Sequence, residues 1–120
     1  ADIILHVICD ALLGAMSLGD IGSHFPDTDD KYKGIDSKIL LRDVIKIMSE
    51  KKYEIVNIDV TVLLEKPKLR DHIDNMRKTI AKITGSEVSS VSVKATTTEG
   101  LGFVGREEGV AAHCVCLIKK

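Results

Sequence analysis

Tyr53-Glu54-Ile55-Val56-Asn57-Ile58-Asp59-Val60-Thr61-Val62-Leu63-Leu64 is the stretch whose reading decides the fold. Val56, Ile58, Val60, Val62 and Leu64 alternate with Asn57, Asp59 and Thr61, and that period of two predicts a strand with one apolar and one polar face. Its apolar face needs cover, and helical patterns on both sides can supply it. Upstream, Asp36 or Ser37 caps a helix to about Lys51, whose buried stripe is Leu40, Leu41, Val44, Ile45 and Met48. Downstream, a short loop over 65–70 with Pro67 leads into a helix carrying Leu69, Ile73, Met76, Ile80 and Ile83 at spacings of 4, 3, 4 and 3, stopped by Gly85. Residues 91–97 form a second alternating strand. Residues 110–118 form a third, apolar on both faces, as suits a strand central in its sheet or placed at a subunit contact. At the other end, residues 2–18 read as a helix ended by Gly19 and apolar around most of its circumference.

A chain of 120 residues makes one domain, burying roughly two-thirds of the surface its unfolded form exposes. It is 44% hydrophobic but only 3% aromatic, so the core is aliphatic. The net charge is −1, from 17 basic and 18 acidic residues mixed along the sequence. That argues against a nucleic-acid partner, which wants a basic face and stacking aromatics. No apolar run approaches the roughly 18 residues of a membrane helix, and no signal peptide, repeat or low-complexity segment is recognisable. Cys9, Cys114 and Cys116 form no Cys-x-x-Cys, and the last two share one strand face, so they read as free thiols in a reducing compartment. The chain opens uncapped in an apolar helical pattern without a Met, so a segment is expected before Ala1.

Three features carry chemistry. On the first helix Asp2, His6 and Asp10 recur at i, i+4 and i+8 as one polar lane, either a solvent stripe or part of a metal site. One imidazole with one or two carboxylates does not complete such a site. Residues 19–30 hold two glycines, a proline and four aspartates in a row of twelve without helical or strand period, a structured polar loop. It is not an EF-hand: Lys31 and Tyr32 stand where the third acidic ligand and the essential glycine belong, and Lys38 where the closing Glu belongs. Its carboxylates suit sugar or polyol hydroxyls, or simply face water. Residues 94–106 gather Thr96, Thr97, Thr98, Glu99, three glycines and Arg106. Hydroxyls and glycine-exposed amides donate to phosphate, Glu99 suits a divalent ion bridging phosphates, and Arg106 neutralises charge. The plain alternative is a glycine-rich hairpin connection. His72 lies off its helix stripe and is expected to be exposed.

Taken together, Asp2-x-x-x-His6-x-x-x-Asp10-Ala11-Leu12-Leu13-Gly14-Ala15, then Leu18-Gly19-Asp20-Ile21-Gly22-x-x-Phe25-Pro26-Asp27-Thr28-Asp29, then Lys94-Ala95-Thr96-Thr97-Thr98-Glu99-x-Leu101-Gly102-Phe103-x-Gly105-Arg106-x-Glu108-Gly109 resemble the 2-C-methyl-D-erythritol 2,4-cyclodiphosphate synthase family of the non-mevalonate isoprenoid pathway. The three motifs span essentially the whole chain. The resemblance implies an α+β fold, a mixed sheet with helices packed on one face, assembled as a homotrimer with active sites between subunits. It implies cyclisation of 4-diphosphocytidyl-2-C-methyl-D-erythritol 2-phosphate with release of CMP, in the cytoplasm or, in a eukaryote, a plastid-type organelle. It makes His6 one of three protein ligands of a zinc-type ion supported by Asp10. Asp20, Ile21 and Gly22 match positions near the ribose, and Phe25, Pro26, Asp27, Thr28 and Asp29 the segment that holds the methylerythritol. Leu64, Pro67, Lys68, Leu69 and Arg70 match the cytidine pocket. Thr96, Thr97, Thr98 and Glu99 match the phosphate-binding run, with Thr97 a transition-state stabiliser and Glu99 the ligand of a magnesium or manganese ion. Phe103 and Arg106 match further substrate positions, and His113 a place near the threefold axis. The family also has an N-terminal hairpin with an Asp-x-His pair that supplies the other two zinc ligands, and none of it lies in residues 1–120. The competing reading is a trimeric, non-catalytic module binding a nucleotide or isoprenoid phosphate. A thiol–metal sensor built on the three cysteines is a weaker third.

Overall fold

The computed structural model describes residues 2–26, 28–31 and 34–120. In chain order it contains α1 (Asp2–Ala15), α2 (Ile21–His24), α3 (Ser37–Glu50), β1 (Glu54–Leu63), α4 (Ile73–Thr84), β2 (Val91–Thr96), α5 (Gly102–Gly105) and β3 (Ala111–Lys119), with short 3-10 turns at Arg70–His72 and Val88–Ser90. The sheet order is β2-β1-β3, with β1 parallel to β2 and antiparallel to β3, so the sheet is mixed. Helices α1 and α4 pack against β3 and β2, and α3 packs against both helices. The core between is aliphatic: Ile8, Leu12 and Leu13 of α1, Leu41 and Val44 of α3, Ile58, Val60 and Val62 of β1, and Ile80 of α4 are all fully buried.

The alternation that predicts β1 holds from Ile58 to Leu64 and breaks earlier. Ile55 pairs with Ile118 and Asn57 with Leu117, which leaves Val56 as an extra residue. A bulge of this kind shifts the side-chain parity by one. Val56, expected on the apolar face, is therefore 39% exposed, and Ile55 packs on the core in its place. The last strand also differs from one of its two expected settings. It is not central: β1 is, and β3 lies at an edge with Val115 72% and Leu117 58% exposed on the face away from the helices.

Two helix boundaries have local causes. Expected to run to Leu18, α1 ends at Ala15 because Ser17 takes a left-handed conformation, φ +59°, with Leu18 N–H donating to Leu13 O and Ser17 N–H to Gly14 O. That is the Schellman arrangement, here without its usual glycine. Gly19, at φ +87°, turns the chain afterwards. Residues 19–30, expected to lack regular structure, contain the single turn α2. Asp20 caps it by accepting from Ser23 N (2.9 Å), while Ser23 Oγ sits 3.4 Å from Asp20 N, a capping box in four residues. Asp36 caps α3 through Lys38 N, and Gly85, at φ +71°, closes α4, both as expected.

Candidate active site

Because β1 and β2 are parallel neighbours, their carboxyl ends emerge together. Leu63 and Thr96 form the last pair, and Leu64 N–H then donates to Thr96 O at 3.0 Å. Between the two departing chains lies a cleft of about 310 Å³, lined by Leu64, Glu65, residues 67–71 and residues 95–97. Ligand sites beyond the carboxyl ends of parallel strands are common because loops diverge there and leave amides unpaired. The structure thus brings the expected cytidine-pocket residues Leu64, Pro67, Lys68, Leu69 and Arg70 against the expected phosphate-binding Thr96 and Thr97. Lys68 and Arg70 add positive charge to the lining.

The loop expected to bind phosphate is held from across the cleft by Glu65, which the sequence reading did not single out. Glu65 Oε1 accepts from Thr98 N–H (3.1 Å) and Gly100 N–H (3.2 Å); the Thr98 hydroxyl lies 3.1 Å from the same oxygen and 2.6 Å from Leu101 O. These bonds, that from Gly100 foremost, hold the Glu65 carboxyl below the usual carboxylate range. Between the two gripped amides, Glu99 stands at φ +54°, a left-handed conformation costing a non-glycine residue roughly 1–2 kcal/mol. Its N–H donates to Thr97 Oγ1 (3.2 Å), so that hydroxyl keeps its own proton for another acceptor. Beyond the loop, α5 stacks on it: Gly105 lies directly against the Gly100 backbone, and Val104 is buried. Phe103 is half exposed with its ring against Gly109, and Arg106 pairs with Glu108. The 3.5 Å surface pair Lys66–Glu107 ties the two loops weakly together.

The remaining expected residues lie elsewhere on the chain. His6 is exposed on α1, its Nε2 2.9 Å from Ser37 Oγ. Asp10 accepts from Ile21 N–H at 2.8 Å and so anchors the start of α2 to α1. Asp20 is occupied as the cap, Phe25 packs against the core, Asp29 N–H donates to Pro26 O, and Asp29 Oδ1 accepts from Lys31 N–H. Ile21 and Gly22 lie in α2 and Thr28 in the following turn; Asp27 is outside the described residues. None of the described residues from Asp20 to Asp29 lines the cleft. Within one chain, the loop expected to hold the sugar and the cleft expected to hold the nucleotide are separate. His72 is exposed, as expected, beside a second groove between α1 and α4 floored by Ile4, Leu5, Met76 and Ile80.

The cysteines offer little chemistry. Burial pushes the Cys9 and Cys114 thiols up to about 12 and raises Cys116 too, so all three stay protonated near neutral pH. Among the described residues no three His, Cys, Asp or Glu side chains come together as a metal-binding group, and no helix is long and apolar enough to cross a membrane.

Comparison with known proteins agrees with this geometry. The profile of the YgbB family matches residues 1–119. The chain is 55% identical over 120 residues to the 2-C-methyl-D-erythritol 2,4-cyclodiphosphate synthase of Brachyspira hyodysenteriae, covering 100% of this chain and 76% of that protein. It is 58% identical over 119 residues to the synthase of Chlorobaculum tepidum, covering 99% and 76%. Among solved structures, the bifunctional IspDF of Campylobacter jejuni superimposes with a TM-score of 0.93 at 42% identity, over 98% of this chain and 32% of that one. The CDP complex of Plasmodium falciparum IspF gives 0.86 at 33% identity, over 97% and 69%. The mixed sheet, the cleft at its parallel edge and this similarity along residues 1–119 together show that the chain belongs to the YgbB family, the family of the 2-C-methyl-D-erythritol 2,4-cyclodiphosphate synthases.

Proposed function

We propose that this chain converts 4-diphosphocytidyl-2-C-methyl-D-erythritol 2-phosphate to 2-C-methyl-D-erythritol 2,4-cyclodiphosphate with release of CMP. The observation that carries the proposal is the cleft, where the 64–70 turn and the threonine run meet in a chain more than half identical to synthases of that name. In the reaction an oxygen of the 2-phosphate attacks the β-phosphorus. The bond from that phosphorus to the bridging oxygen breaks, and CMP departs with the oxygen. No net acid–base chemistry is required, so alignment and charge stabilisation supply most of the rate.

Each cleft residue has a part in this. The turn carrying Leu64, Pro67, Lys68, Leu69 and Arg70 offers backbone groups to the base, and Lys68 and Arg70 draw in an anion. The Thr97 hydroxyl, already accepting from Glu99 N–H, donates its proton to a phosphoryl oxygen as charge builds there. Thr96 lines the cleft beside Thr97, while Thr98, Phe103 and Arg106, on the segment that follows and outside that lining, are further expected substrate contacts. Glu99 fits a magnesium or manganese ion, since these ions need only one or two carboxylates when phosphates supply the other oxygens. Held by Glu99, such an ion would neutralise charge on the diphosphate. Zinc is different: a zinc centre wants three protein ligands, and the described residues beside His6 do not provide them.

We extend the proposal to a homotrimer in which residues 20–29 of one subunit complete the cleft of another. Two features support it: the loop lies away from the cleft of its own chain, and β3 turns Val115 and Leu117 outward. The bacterial relatives are in keeping with a cytoplasmic setting.

Incubating the purified native protein with the authentic substrate and magnesium tests the reaction. Phosphorus NMR should show one CMP and one cyclic diphosphate per substrate consumed. Nucleotide binding without CMP release would instead favour the non-catalytic module.

A further inference from the structure

We propose that Glu65 is a positioning residue that holds Glu99 and Thr97 ready for the diphosphate and its divalent ion. This rests on the function proposed above. Glu65 is the second residue beyond the end of β1, and its carboxylate reaches across the cleft to the loop that follows the neighbouring strand. One oxygen receives the N–H groups on either side of Glu99, those of Thr98 and Gly100. Glu99 and Gly100 are consecutive left-handed residues, φ +54° and +78°. A chain released from both bonds relaxes Glu99 toward ordinary backbone, which re-aims its carboxylate and withdraws its N–H from the Thr97 hydroxyl.

Glu65 remains a carboxylate at the edge of the cleft, and its Oε1 takes up the Thr98 and Gly100 amides, donors that would otherwise be open to a bound anion. The loop's remaining donor capacity is then concentrated at Thr97, which lines the cleft. The residue therefore acts through Thr97 and Glu99, without touching the reacting atoms.

The test uses the native protein with Glu65→Ala, Glu65→Gln and Glu65→Asp, and three readouts. Glutamine keeps an acceptor oxygen at the same reach, alanine removes it, and aspartate draws it back by one methylene. Amide hydrogen exchange of the ligand-free protein should show protection at Thr98 and Gly100 falling about tenfold or more in Glu65→Ala and Glu65→Asp but not in Glu65→Gln. Manganese affinity in the presence of CDP, read by electron paramagnetic resonance, should fall about tenfold in the first two. Their kcat for CMP release should fall by about a hundredfold with a smaller change in KM, and glutamine should stay within about threefold of the parent. Unchanged exchange and manganese affinity in Glu65→Ala would overturn the proposal, as would equal losses in alanine and glutamine. Should Glu65→Ala fail to fold, Glu65→Asp decides in the same way. A parent protein that releases no CMP contradicts the proposed function, whereas an active parent matched by Glu65→Ala and Glu65→Asp contradicts the role of Glu65.

Discussion

Gly105→Ala is expected to abolish most CMP release, by about a hundredfold or more, and to lower the melting temperature by about 10 °C. A Cβ at Gly105 would stand 2.0 Å from the carbonyl carbon of Gly100, 2.5 Å from its oxygen and 2.7 Å from its Cα. All three are backbone atoms, so no rotamer change relieves the clash. Either α5 lifts off, exposing the buried Val104, or the 97–100 segment shifts and takes Thr97 and Glu99 with it. Overpacking of this severity costs about 3 kcal/mol. Gly102→Ala is the control, because its φ of +69° makes alanine strained but a Cβ there meets nothing within 4 Å. It should lose only about 1 kcal/mol and keep more of its activity. Thermal melts and CMP-release assays on both variants check this; similar behaviour of the two would show that the contact between Gly105 and Gly100 is not what shapes the loop.

The second large effect is expected from Glu99→Gln. The substitution preserves size and the left-handed backbone but removes the charge proposed to hold the divalent ion. Glu99 is exposed, so stability should move by no more than about 0.5 kcal/mol. The rate of CMP release should drop about a hundredfold to a thousandfold, with weakened magnesium activation. A variant as active as the parent at the same magnesium concentration would remove Glu99 from the ion site.

Much of the fold follows from periodicity, and its departures have physical reasons. Alternation from Ile58 to Leu64 and the stripes of α3 and α4 reflect burial on one face, and these elements stand as expected except that α4 begins only at Ile73, leaving Leu69 ahead of the 3-10 turn over Arg70–His72. Val56 broke the pattern because an inserted residue is invisible to a period-two rule; only the pairing with Ile118 and Leu117 reveals it. The apolar outer face of β3 indicates that something covers it, but sequence does not separate a neighbouring strand from another subunit. Helix α2 is too short to carry a period, although Asp20 and Ser23 stand at cap spacing and were open to that reading. The site was legible through motifs more than through spacing: the threonine run alone read equally well as a hairpin. Glu65 escaped notice because its meaning depends on Thr98, 33 residues away, which only parallel pairing of β1 and β2 brings within reach. Asp10 is expected at the metal site, and what its spacing could not tell is that its Oδ1 also accepts from Ile21 N–H and seats the following loop on α1.

The cleft at the carboxyl ends of β1 and β2 is the proposed seat of the nucleotide. Titrating CDP with magnesium into the isotope-labelled native protein, and following backbone amide shifts, tests it most directly. Saturable shifts are expected in residues 64–71 and 95–100, with little change at Ile4, Met76 and Ile80 in the groove between α1 and α4. Saturable shifts confined to that groove, with the cleft amides unmoved, would contradict it.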